Sequence, residues 1–191
     1  MGIPNVNMIA LNNCIEPKEI YHSLFENIKT PTIVIENKVL YTHIGFKCKE
    51  GFRLQKTDEI FPTVKYRPDS TTTDLTIVCY GGMAEIVKDV IESLATEDII
   101  CEMICPTSIV PLNVNPIIKS VEESGNVLIV EEGPNFAALG SEILAALTEN
   151  GVRIKKAARM GNNGIIPCSL PAENNLLPSS ESIINKIKSM F

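Results

Sequence analysis

Between Leu75 and Ile143 the chain repeats one unit, an apolar run followed by a turn and an amphipathic helical pattern, and this alternation constrains its fold more than any other feature. Leu75-Thr-Ile-Val-Cys-Tyr80 meets Gly81-Gly82, after which Met83, Ile86, Val87, Val90, Ile91 and Leu94 recur at steps of three and four, the spacing of one helix face. Residues 99–104 read as a second strand and the segment 111–116 as the start of its helix. Residues 126–130 read as a third strand, before a helix over about 136–147. Strands that alternate with helices in this way build an α/β fold of three layers, a mainly parallel sheet with helices on both faces.

In such a sheet ligands settle in the crevice beyond the carboxyl ends of the strands. The loops there are Gly81-Gly-Met83, 106–111 and 131–135; they hold no histidine and no dinucleotide or P-loop fingerprint. Gly81-Gly82 could bring a phosphate to a helix amino terminus. A glycine pair without the rest of the fingerprint reads more simply as a tight strand-to-helix turn. Glu131 and Glu132 end a strand and Glu142 lies in the next helix. A catalytic carboxylate pair would need converging positions, so structural or interface roles are favoured for these three. Phe136, where a loop enters a helix, is either an interface anchor or a core aromatic on its own sheet.

Ahead of the core, residues 5–11 read as a strand, 16–27 as a helix with Pro17 in its first turn, and 32–35 as a second strand, a short β-α-β piece. Residues from about 42 to 74 read as an irregular polar connector marked by Pro62, Pro68 and the run Ser70-Thr71-Thr72-Thr73. The division is therefore 1–41, 42–73 and 74–191. The core closes with a strand at 152–157, a proline-marked loop through Pro178 and an end helix over 180–190 capped by Ser179 or Ser180.

A net charge of -6 and a pI near 5.0 oppose a nucleic-acid surface, which needs a basic face. Arg153-Ile-Lys-Lys156 reads as the solvated side of the last strand. No apolar run approaches the roughly 20 residues that span a bilayer, so the expected location is the cytoplasm, or an organelle matrix after loss of a transit segment. The six cysteines are scattered without CxxC spacing, and free thiols are expected; Cys101 and Cys105 would share one strand face.

Tyr80-Gly-Gly-Met83, Ile109-Val-Pro-Leu112, Glu132-Gly-Pro134, Gly140-Ser-Glu-Ile143, Ile166-Pro167 and Leu177-Pro178 resemble the ordered signposts of the transketolase-like carboxy-terminal domain. The form most similar is that of the beta subunit of thiamine-diphosphate-dependent 2-oxo acid dehydrogenases, the decarboxylating component of the pyruvate and branched-chain complexes. Pro31 to Tyr41 resembles the exit of the preceding pyrimidine-binding domain, which the resemblance enters partway near Ile3. In that family the glutamate and histidine of catalysis lie upstream of this point, and a GDG…NN motif on another domain or subunit holds metal and diphosphate. No GDG occurs here, so Asn12-Asn13, Asn162-Asn163 and Asn174-Asn175 read as loop residues. The chain also departs from the family's pattern at Asn135, where a basic residue is usual, and at Cys105-Pro-Thr107, where an Asp-Leu-Arg-like triplet is usual.

The resemblance implies a domain that assembles subunits while other polypeptide supplies the chemistry: no catalytic, cofactor or metal residue in this chain, and no cofactor bound by it alone. Thiamine diphosphate and magnesium belong to the complete enzyme. The implied partners are a second copy of the chain, a thiamine-diphosphate-binding subunit or domain, and the acyltransferase core of a dehydrogenase complex. The implied interface centres on Glu132, Gly133, Pro134 and Phe136. Two alternatives stand beside it, part of a split transketolase or related ketol or acyloin transferase, and a free-standing regulatory module that binds a small anion at Gly81-Gly82.

Overall fold

The structure is a computed structural model that describes residues 3–43, 45–162 and 164–191, with the Leu170 side chain left aside. Asn163, one of the paired asparagines, lies outside the described residues, as do Met1 and Gly2. The amino-terminal piece is β1 (Asn7–Ala10), α1 (Pro17–Asn27) and β2 (Thr32–Ile35), as its periodicity predicts. Pro17 opens α1, where its missing N–H is no loss, and Ile20 is buried. The next elements are β3 (Phe52–Lys56), β4 (Thr63–Pro68), β5 (Leu75–Cys79), α2 (Met83–Leu94), β6 (Cys101–Pro106), β7 (Ser108–Val110) and α3 (Asn115–Ser124). They are followed by β8 (Asn126–Pro134), α4 (Leu139–Glu149), β9 (Lys156–Asn162), α5 (Leu170–Asn174) and α6 (Ser180–Lys188).

Six strands form one sheet in the order β3-β4-β6-β5-β8-β9. The pairs β6-β5, β5-β8 and β8-β9 are parallel, and β3 and β4 join antiparallel at one edge. Leu75, Ile77 and Cys79 of β5 face one core with Val87 and Ile91 of α2 and Ile183 and Ile187 of α6. Val78 faces the other with Ile117 and Val121 of α3 and Ile143 and Leu147 of α4. Cys101, Met103 and Cys105 share the first face, as a two-residue period requires. Each fully buried leucine or isoleucine here contributes about 1.5–3 kcal/mol, and Ile77, Ile91, Leu128 and Ile143 are all of this kind. Thr76, wholly buried, hydrogen-bonds Ser120 at 2.7 Å and Ser124 at 2.9 Å, so α3 docks on the sheet without an orphaned hydroxyl.

Four expectations are corrected. Residues 42–74 are not uniformly irregular: β3 and β4 form a hairpin that extends the sheet, with Phe52, Leu54, Val64 and Tyr66 turned to the core and charged residues between them. The loop 106–111 contains β7, which pairs antiparallel with β1 in a separate three-stranded sheet of order β2-β1-β7. The last strand runs over Lys156–Asn162 rather than 152–157, because residues 152–155 carry the chain from α4 back to the position where Lys156 pairs with Asn126. The helix expected from residue 136 begins at Leu139, after Ala137 takes a positive φ of 53°. Ser179 caps α6 in a reciprocal capping box with Ser182. No helix among the described residues is long and apolar enough to cross a membrane.

Candidate functional site

The crevice past the carboxyl ends of β5 and β8 encloses about 890 Å3 and is lined by the Tyr80-Gly81-Gly82 turn, Glu132, Asn37 after β2, and the segment 177–180 before α6. Gly81 has a φ of +59°, a left-handed conformation that glycine adopts without steric cost. Gly82 answers a different need. A β-carbon there would run into Asn37 Nδ2 and stand 2.9 Å from Asn37 Cγ and 3.1 Å from Glu132 Oε1. Asn37 accepts the Val39 N–H at 2.9 Å through Oδ1 and donates to Glu132 Oε1 at 3.1 Å through Nδ2. The glycine pair therefore admits an asparagine of the amino-terminal piece to the start of α2.

Charge decides what else could enter. Among the described residues the crevice is lined by the carboxylates of Glu36, Glu85, Glu132 and Glu173 against one ammonium, that of Lys38. Burial raises the Glu132 carboxyl above its ordinary range, its bond from Asn37 opposes the shift, and the nearby Glu173 adds to it. A diphosphate would meet this field at a turn Asn37 already occupies, so these residues do not fit thiamine diphosphate, and no step through that cofactor is assigned to them.

Glu131 and Glu132 do not converge, because successive strand residues point to opposite faces. Glu131 is 1% exposed and turns toward α4, where Oε1 accepts the Gly140 N–H at 3.0 Å and Oε2 accepts the Tyr80 hydroxyl at 3.2 Å. Burial raises this carboxyl, while the Gly140 amide, Tyr80 and the Arg159 charge pull the other way. A β-carbon at Gly140 would collide with Glu131 Oε1 and stand 3.1 Å from Ile129 Cγ2. Arg159 donates to the Asn135 carbonyl at 2.8 Å and to the Ser141 hydroxyl, completing a clamp between the start of α4 and the ends of β8 and β9. Glu142 lies exposed on α4. Of the acidic residues singled out in the sequence, Glu131 and Glu132 thus tie elements together.

Beyond the clamp the surface becomes apolar. Gly133 and Asn135 run so close to β9 that a β-carbon at Gly161 would stand 2.7 Å from the Gly133 carbonyl oxygen and 2.8 Å from Asn135 Oδ1. Pro134 pairs with Asn162, and the Asn135 N–H donates to the Asn162 carbonyl at 3.2 Å. Of the four expected interface residues, Glu132 and Gly133 are half-buried, Pro134 is exposed, and Phe136 is 89% exposed, which removes the alternative that it packs on its own sheet. The loop after β9 adds Ile165, 94% exposed, and Ile166, 50% exposed. Their exposure was not expected; the adjacent isoleucines in a proline-marked loop, with no helix or strand to bury them, were the available signal.

The departures from the family's pattern are absorbed internally. Cys105 is buried in the first core, and the carbonyl of Thr107, also buried, accepts the Ala10 N–H at 2.9 Å. Asn12 reaches the Thr107 hydroxyl at 3.4 Å.

A mainly parallel sheet covered on both faces by helices defines an α/β domain. Residues 65–183 match the family "Transketolase, C-terminal domain", and the chain belongs to that family. It is similar to the pyruvate dehydrogenase E1 component subunit beta of Rickettsia bellii, 26% identical over 189 residues that are 97% of this chain and 56% of that protein. It is also similar to the same subunit of Rhizobium meliloti, 25% identical over 98% of this chain and 40% of the relative. The chain thus spans about half the length of the curated relatives it matches. Among solved structures a "Split gene transketolase, inactive beta4 tetramer" superposes with a TM-score of 0.69 at 18% identity, over 98% of this chain and 58% of that one. A transketolase from Leishmania mexicana superposes with a TM-score of 0.58 at 15% identity, over 97% of this chain and 25% of that one. The fold read from the strand-helix alternation and the resemblance read from Tyr80 onward both stand.

Proposed function

We propose that this chain is the non-catalytic, subunit-assembling portion of a thiamine-diphosphate-dependent 2-oxo acid dehydrogenase beta subunit. The observation that carries the reading is the exposure of Phe136, Ile165 and Ile166 on the two loops that leave the paired ends of β8 and β9. Large apolar side chains gathered on one rim favour a protein partner, since their transfer out of water stabilises association. The partner at this rim is a second copy of the chain, because two-fold self-pairing is the commonest closed arrangement. The acidic crevice, with Asn37 seated at the Gly82 turn, supports the other half of the reading, that cofactor and chemistry belong to a thiamine-diphosphate-binding subunit.

Sedimentation across micromolar concentrations tests the first half. A dimer is expected, and Phe136→Asp should dissociate it while leaving the circular dichroism spectrum unchanged; a monomer in the unmodified chain overturns the reading. A decarboxylation assay with magnesium, thiamine diphosphate and pyruvate or a branched-chain 2-oxo acid tests the second half. No turnover is expected from the chain alone, whereas turnover would sink it.

A further inference from the structure

The edge of the six-stranded sheet farthest from the Phe136 loop is finished differently. Helix α3 packs on β5, β6 and β8, and β4 and β3 continue the sheet past it. One face of those two strands is buried by Val64 and Tyr66. The other carries Arg53 and Gln55 of β3 directly opposite Arg67 and Lys65 of β4. With Lys119 and Ser120 of α3 and Thr71 of the following loop, these side chains line a cleft of about 380 Å3, within the range of small-ligand sites.

The two arginines of this cleft are engaged by carboxylates, and its two lysines are not. Like charges directly opposite in a strand pair are destabilising, and Arg53 stands opposite Arg67. Arg67 is held in place: it donates to Glu123 at 3.1 Å and to the Ser70 carbonyl at 2.9 Å, and lies 3.7 Å from Glu102. Glu102, 5% exposed, is fixed in turn by the Ser120 hydroxyl, which bonds Thr76. Both carboxylates that line the cleft are thereby committed to Arg67, and Arg53 pairs with Asp69. Lys65 and Lys119 form no salt bridge among the described residues. Two ammonium groups are left over in a concave site, with Gln55 and Thr71 as neutral donors, on a chain whose net charge is -6. Charge-assisted hydrogen bonds to phosphate oxygens are the strongest use such donors have.

We propose that this cleft binds a small molecule bearing two or more phosphate charges, held by Lys65 and Lys119 with Arg53 at the mouth. The site lies at the opposite sheet edge from the assembly rim, so its occupancy and the oligomeric state are separable. The test is calorimetric titration of the full chain with pyrophosphate and, separately, inorganic phosphate. Saturable binding of pyrophosphate is expected, tighter than that of phosphate and weakening as salt is added. Lys65→Gln with Lys119→Gln should weaken it by about tenfold or more. Lys18→Gln, on the surface of α1, should leave it unchanged. Should the double variant fail to fold, Lys119→Gln alone, on the exposed side of α3, is expected to weaken binding several-fold. No saturable heat from pyrophosphate up to about 10 mM, or an affinity that the folded lysine variants leave unaltered, overturns the proposal.

Discussion

Gly140 sits in the first turn of α4 and Gly82 just ahead of α2, and at each the missing side chain lets a group from elsewhere in the fold reach the helix amino end. At Gly140 that group is the Glu131 carboxylate, almost wholly buried and accepting the glycine N–H. At Gly82 it is the neutral Asn37 amide, on the wall of an open crevice rich in carboxylates. The first arrangement supplies the negative charge a helix start favours. The second leaves that charge to the crevice and uses the glycine for close packing between distant segments. A glycine at a helix start therefore marks a close approach, and what approaches has to be read from the fold.

The comparison breaks most sharply at Gly140. Gly140→Ala drives a β-carbon into Glu131 Oε1 and against Ile129, both buried, so neither can yield. A loss of about 3 kcal/mol is expected, combining overpacking with a disturbed buried hydrogen bond, and chemical denaturation measures it. Gly82→Ala meets only the short Asn37 side chain and Glu132 at the crevice wall, where displacement is possible, and should cost about 1–2 kcal/mol. Asn37→Ala removes the Val39 cap and the partner of Glu132, a loss of about 1 kcal/mol. Combined with Gly82→Ala it also removes the obstacle, so the double variant should cost less than the sum of the single ones. Strict additivity in that cycle would show that Gly82 does not serve Asn37.

A pH dependence sharpens the same contrast at smaller scale. Burial raises both Glu131 and Glu132. Each carboxyl binds its proton more tightly in the folded chain than in the unfolded one, so its contribution is fully present below the ordinary carboxylate value and is lost as pH rises through the raised one. Across that window the melting temperature should fall with rising pH. Glu131→Gln, which keeps an acceptor for Gly140, should flatten the slope, and Glu132→Gln should do so too. The same slope in wild type and both variants would count against buried, proton-retaining carboxyls.

Much of this architecture could be read from the chain, and the failures have physical causes. β5 is buried along its whole length and β8 over most of its own, so both appear as unbroken apolar runs. β3 and β4 bury one side only, and Arg53, Gln55, Lys65 and Arg67 on the other made the segment look like a polar linker. β7 is three residues close to prolines, too short for any periodicity. Lys156-Ala-Ala-Arg-Met-Gly-Asn162 has no β-branched residue, and its strand state comes from pairing with β8 rather than from local preference. At the candidate site the sequence drew attention to the acidic pair and to Phe136 without fixing their surroundings. Asn37 was not, because nothing in its own neighbourhood points to Gly82, and Ile165 and Ile166 stood out only once the fold left them uncovered.

The smallest element ties the chain together. β7 lies between β6 and α3, yet among the described residues its only partner strand is β1 near the amino terminus. The Ala10 N–H donates to the Thr107 carbonyl at the same seam, and Ala10 packs with Ile109 in the second core. Pulling the first segment away would strip backbone bonds from the middle of the chain, so the two should share one thermal transition rather than melt in turn. Mechanically, β7 is a latch: a force applied at the amino terminus reaches the central sheet through three residues, and those are where extension would first give way.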